Sequence, residues 1–230
     1  MITCIKKLIP FLLLGTIIFH SCEDVLDVPL TSELESTYFE NENRVQRGVG
    51  SIYAVIQTLY GANLLDGMST GAGVTLHPAW LLQGDDLTTS GNSNGAYEAF
   101  SGFSPSDVRV AEIWEKLYFV VNRANFMLEK LEDPEIVKVF KTTGLKDNNK
   151  GEALFLKAWA NFRLWDIYRK APLQEKRISS IDGAILKPSK GFELLDAAIA
   201  DLIVAADLLP VSWNAQNKGR VFKTALMGYW

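Results

Sequence analysis

Apolar residues recur every three or four positions in several long blocks of this 230-residue chain, and that period belongs to helices. Val45, Val49, Ile52, Ile56 and Leu59 lay one stripe along a helix predicted over 43–60. Gly48 and Gly50 weaken that helix but permit close approach of a neighbour. Ser104-Pro105-Ser106-Asp107 offers polar caps for a longer helix that follows. Ile113, Trp114, Leu117, Val120, Val121, Ala124, Met127, Leu128 and Leu131 form its wide apolar face. Asp133-Pro134 closes it, because the residue before a proline is pushed out of the helical region. A shorter helix is expected over 134–142.

Asp147-Asn148-Asn149 is then read as the cap of a helix over 151–169. Ala153, Leu156, Ala160, Leu164 and Ile167 make one apolar face, and Phe155, Trp159 and Phe162 a second. A helix apolar on two sides is sandwiched between neighbours. The next helix, over 192–209, carries Leu195, Ala198, Leu202, Ala205 and Leu209 and stops at Pro210. Lys218-Gly219-Arg220 opens a further periodic segment that contains Phe222, Ala225, Leu226, Tyr229 and Trp230. It reads as a helix cut short, so a chain truncated at its C-terminus is expected.

No strand pattern competes over a comparable length, which makes the fold class all-α. A helix rich in small and aromatic residues, paired with another about forty residues on, predicts a tetratricopeptide-like helical repeat, an α-solenoid. A single helical bundle is the alternative. Residues 61–106 break the pattern. Gly, Ser, Thr and Asn are dense there, as in Thr88-Thr89-Ser90-Gly91-Asn92-Ser93-Asn94-Gly95. A loop of this length is usually functional or disordered. Trp80, Asp85, Asp86, Tyr97, Phe100 and Phe103 interrupt it, so it is expected to be an ordered loop packed on the helices.

The N-terminus changes the picture more than composition does. Lys6 and Lys7 precede an apolar run from Leu8 to Phe19, and acidic residues follow Cys22 at once. The run is too short to span a membrane comfortably and reads as a secretory signal over 1–21. Cys22 then becomes the lipidated N-terminus, with 22–40 an extended tether and 41–230 the helical domain. Two or more acyl chains give durable anchoring. Cys4 would be removed with the signal, leaving no pair for a disulfide. His20 and His77 are the only histidines, too few for a histidine-based zinc site. Losing Lys6 and Lys7 takes the formal charge from -4 to about -6, which excludes nucleic acid as a partner.

At this level of detail the chain resembles the SusD/RagB outer-membrane lipoproteins of Bacteroidetes. The likeness begins with Ser21-Cys22-Glu23-Asp24-Val25-Leu26-Asp27-Val28-Pro29. It continues through Ile113-Trp114-Glu115-Lys116-Leu117-Tyr118 and Val121-Asn122-Arg123-Ala124-Asn125. Its strongest element is Gly151-Glu152-Ala153-Leu154-Phe155-Leu156-Lys157-Ala158-Trp159-Ala160-Asn161-Phe162, with Tyr168, Pro172 and later Gly219-Arg220 behind it. The resemblance implies a non-catalytic, surface-exposed nutrient binder, most often of glycans, that caps a SusC-like TonB-dependent transporter. It implies no cofactor. It covers only the N-terminal half of the family, so oligosaccharide binding by this chain alone is expected to be weak at best. Arg169 departs from the pattern, standing where a glycine is common after the tyrosine.

Glycan capture needs flat aromatic faces against sugar CH groups and polar side chains for the hydroxyls. The 61–106 loop has that mixture. Trp80 is the first candidate for a stacking platform, against the plainer reading of a core tryptophan under the loop. Asp85 and Asp86 could bind hydroxyls or a cation, or bond the loop's own backbone. Asn92 and Tyr97 are candidate lining residues. Trp114, Trp159, Phe155 and Phe162 stand at helical spacing and are expected in the core. No G-x-S-x-G, phosphate loop or H-E-x-x-H occurs, and no carboxylate pair is placed for glycoside hydrolysis, so an enzyme is not expected. A scaffold or adhesion protein, or a binder of peptide or another nutrient, is the alternative function.

Overall fold

The computed structural model describes residues 35–60, 82, 84, 86, 88, 95–99, 101 and 108–224. The chain divides after Tyr38 into two units, and of the first only the helical turn Glu35–Tyr38 is described. The second contains four long helices among its described residues: α1 (Glu42–Tyr60), α2 (Val108–Glu132), α3 (Leu145–Tyr168) and α4 (Glu193–Leu208). The described residues include no strand, and none of their helices is long and apolar enough to cross a membrane.

Consecutive helices run antiparallel. Lys116 Nζ on α2 donates to the Thr58 carbonyl near the end of α1 (3.2 Å), and Tyr168 at the end of α3 donates to Val110 at the start of α2 (2.5 Å). Phe192, just ahead of α4, meets Trp165 near the end of α3. One end of this array therefore gathers the C-termini of α1 and α3 with the N-termini of α2 and α4. The opposite end is closed by Glu42. Its carboxylate accepts from Lys141 N (2.9 Å), Thr142 N (3.0 Å) and Thr142 Oγ1 (2.9 Å) in the α2–α3 connection.

The core follows the helical stripes with small rotations. Val45, Val49, Ile52 and Leu59 are buried as expected, but Val55 takes the inner position expected for Ile56, which is half-buried. Of the two glycines, only Gly48 serves close approach. A Cβ there would lie 2.7 Å from Met127 Sδ and 2.9 Å from Phe39 Cε1, whereas one at Gly50 would meet nothing. α3 is buried on several sides, packing against α1, α2 and α4. Gly151 admits the end of α4: a Cβ there would stand 3.1 Å from the Leu209 backbone nitrogen.

Three boundaries differ from expectation. α3 begins at Leu145, because Gly144 adopts φ 77 and its carbonyl accepts from Asn148 N. Asn149 is accordingly an interior residue of the helix. The short helix after Asp133 ends at Val137 and gives way to tighter turns, with Val139 N bonding Ile136 O. The chain from Lys218 does not open as an α-helix: Gly219 sits at φ 94 and Lys223 N donates to Pro210 O (2.8 Å). The remainder of that predicted helix, 225–230, lies outside the described residues.

Candidate functional site

The end of the array that gathers the N-terminus of α2 and the C-terminus of α3 is lined with aromatic rings. The 61–107 segment leaves from α1 and returns to α2 at this same end. Trp114 packs edge-on against Tyr168 at 4.9 Å and tilted against Tyr118 at 5.0 Å. Both phenols are tied to main chain, Tyr118 donating to Pro172 O at 2.6 Å and Tyr168 to Val110 O. Burial pushes both hydroxyls above the usual phenol range, so they stay neutral donors. Trp114 itself is 36% exposed, which corrects its expected place in the core. Ile113 and Leu117 carry the buried stripe, and residue 114 falls on the flank beside it.

Of the loop candidates, Tyr97 is 2% exposed within the turn Gly95–Glu98. Its ring is a packing element and not a surface for a sugar, which corrects its expected role as a lining residue. Asp86 is exposed. Near it in sequence, Thr88 Oγ1 donates to Glu98 Oε1 at 2.6 Å. Trp80, Asp85, Asn92 and the lipidation candidate Cys22 lie outside the described residues.

The last turn of α3 adds a second group. Trp165 lies 5.9 Å from Phe192, which is 62% exposed, and the Arg169 guanidinium stacks over Trp165 at 4.4 Å. Arg169 holds φ 60 and ψ -50, with Lys170 N donating to Tyr168 O at 2.6 Å. That is a γ-turn of the strained, left-handed kind, rare for a residue with a side chain. The glycine implied by resemblance would sit there without strain. Further along the α3–α4 interface, Phe155, Trp159, Phe162, Leu195, Ile199 and Leu202 line an apolar cavity of about 170 Å³. It suits hydrocarbon rather than a hydroxylated ligand.

Two polar constellations without a periodic sequence signal brace the array, one along α2 and one toward the N-terminal ends of α1 and α3. Asn122 Oδ1 accepts from Ile178 N and Gln174 Nε2, both at 2.7 Å, and Asn125 Nδ2 donates to Gln174 O at 3.0 Å. With Tyr118, these residues one and two turns apart on α2 hold the extended 172–178 segment by its main chain. The Asn122-Arg123-Ala124-Asn125 run carried that signal. The other constellation surrounds Glu152, fully buried on α3. Its carboxylate accepts from Tyr53 on α1 (2.6 Å) and from Arg220 through both Nε (2.8 Å) and Nη2. Arg220 also reaches Gln46 (2.8 Å) and Asn149 (3.1 Å), and its guanidinium lies 4.4 Å from the Trp213 ring. Burial raises the Glu152 carboxyl, while Arg220 and Tyr53 pull it back. A lone acid in an otherwise apolar turn of α3 was the available signal.

Residues 26–230 match the SusD-like family described as starch-binding and associating with the outer membrane. The chain belongs to this family. A SusD-like protein of Formosa agariphila is 20% identical over 208 residues, which is 89% of this chain and 38% of that protein. Among solved structures, a laminarin-binding SusD-like protein superimposes with TM-score 0.65 at 19% identity, covering 83% of this chain and 39% of the other. A SusD superfamily protein of Bacteroides vulgatus gives 0.66 at 22%, covering 83% and 38%. This SusD-like chain therefore spans well under half the length of the relatives it matches.

Proposed function

We propose that this SusD-like chain belongs to a non-catalytic lipoprotein that captures oligosaccharide at the outer-membrane surface and delivers it to a SusC-like TonB-dependent transporter. The observation that carries the reading is the aromatic end of the array. α1 ends and α2 begins there, where Trp114 is exposed, and Trp80, Asp85, Asp86 and Asn92 fall between those two helices in the sequence. Rings held in fixed orientation suit the CH faces of a glycan, and amide and carboxylate side chains such as those of Asp85, Asp86 and Asn92 suit its hydroxyls. The laminarin-binding relative supports a glucan as the first ligand to try. Cys22 supplies the lipid anchor in this reading.

The test has two arms. Saturation-transfer NMR on the chain with a panel of neutral oligosaccharides should detect weak binding to at least one, diminished by Trp80→Ala. Absence of transfer from every glycan overturns the binding claim. Radiolabelled palmitate should enter the chain in cells that make outer-membrane lipoproteins and be absent from Cys22→Ala. Equal labelling of the two would overturn the anchor.

A further inference from the structure

The Arg169 turn is not accounted for by packing alone. An L-residue in the left-handed region costs roughly 1–2 kcal/mol, and exposed Arg169 fills no core. What the turn achieves is placement. It folds the side chain back over its own helix so that the guanidinium carbon lies 4.4 Å from the centre of the Trp165 ring, with the Phe192 ring alongside and largely open to solvent. A cation–π contact of this kind consumes none of the guanidinium's five N–H donors. Among the described residues no ion pair or hydrogen bond engages Arg169 or the adjacent exposed Lys170 through its side chain. Lys190, exposed two residues before Phe192, adds another positive charge close in sequence, while the Glu193 carboxylate is turned back to accept from Lys190 N at 2.9 Å.

We propose that Arg169, Trp165 and Phe192 form a subsite for an acidic sugar residue, one bearing a carboxylate or a sulfate. Phe192 offers a flat apolar face to the ring, and the guanidinium held on Trp165 presents a planar pair of donors to the anion. Lysine would not substitute for that geometry, since an ammonium neither stacks as a plane nor donates as a fork. The proposal rests on the reading of the chain as a glycan binder and names a chemical class for one of its sites.

The experiment is a titration of the full chain, followed by the indole NMR resonances of its tryptophans. Three probes share one backbone: a uronic-acid oligosaccharide, its carboxyl-reduced neutral form, and that neutral form carrying a sulfate ester. The expected result is that one or both anionic probes bind about tenfold tighter than the neutral one, with the Trp165 indole among the signals that move. That ratio should fall toward one in Arg169→Ala, in Arg169→Gly and at high salt, and stay low in Arg169→Lys. Whether the uronate or the sulfate ester shows the larger ratio identifies the anion. Equal affinity for all three probes, or a ratio that survives Arg169→Gly, overturns the subsite while leaving the glycan-binding reading intact. Failure of all three probes in a chain that binds another glycan of the neutral panel overturns the subsite alone, and failure of that panel as well overturns both.

Discussion

The guanidinium of Arg220 pairs with the buried carboxylate of Glu152 across 68 residues of sequence. Neither charge is tolerable there alone. Arg220→Ala is expected to cost about 3–5 kcal/mol in urea unfolding, because it strands an ionised group inside the array. The pH dependence gives the check on mechanism. Burial already raises Glu152, and removing Arg220 raises it further, so the variant's fold favours the protonated acid. A folded value above the unfolded one adds stability that is fully present below the unfolded carboxylate range and is lost as pH rises through the folded value. The deficit of Arg220→Ala should therefore shrink on acidification toward the usual carboxylate range. A deficit independent of pH would show that Glu152 is not its source.

Glu42 has the opposite sign. Hydrogen bonds from Lys141 N and Thr142 N hold its carboxyl below the usual range. The stability it contributes is present above the unfolded carboxylate range and disappears as pH falls through the lower folded value. Glu42→Gln is expected to lower stability modestly near neutral pH, with the difference in melting temperature closing in acid. A constant gap across the titration would contradict this assignment.

Gly48 and Gly50 sit two residues apart and should respond in opposite directions. Gly48→Ala drives a methyl group into Met127 and Phe39 and should destabilise by about 1–3 kcal/mol. Gly50→Ala meets open space and should stabilise by up to about 1 kcal/mol through helix propensity. Thermal denaturation of the two variants, side by side, decides it; like signs would mean α1 is packed differently.

Strain at Arg169 can be separated from its contacts by comparing two truncations. Arg169→Ala and Arg169→Gly both lose the stack on Trp165, yet only glycine relaxes the γ-turn. The glycine variant is expected to be the more stable by about 1 kcal/mol in chemical denaturation. Equal stability would remove the case for strain.

Much of the architecture could be read from period and punctuation. The four long helices follow their apolar stripes, and Pro134 and Pro210 mark their ends. Local exposure was harder to read, because a wide stripe does not say where its edge lies: Trp114 sits just outside it, and Ile56 yields its place to Val55. A polar, glycine-rich stretch carries no periodic signal for the four-residue helical turn in which Tyr97 is buried. Arg220 was visible as part of a motif but not as the partner of Glu152, since pairing across 68 residues follows no local period. Trp80, Asp85 and Asn92 remain sequence assignments.

The grip of α2 on the 172–178 segment has a consequence for mutational tolerance. Tyr118, Asn122 and Asn125 engage peptide groups of Pro172, Gln174 and Ile178, and Gln174 is the one side chain of the segment drawn into those bonds. Exchanges at Leu173 or Glu175 leave all of these hydrogen bonds in place. The backbone path beside the Arg169 turn is thus specified largely by a helix elsewhere in the chain, and positions 173 and 175 are free to diversify without losing it.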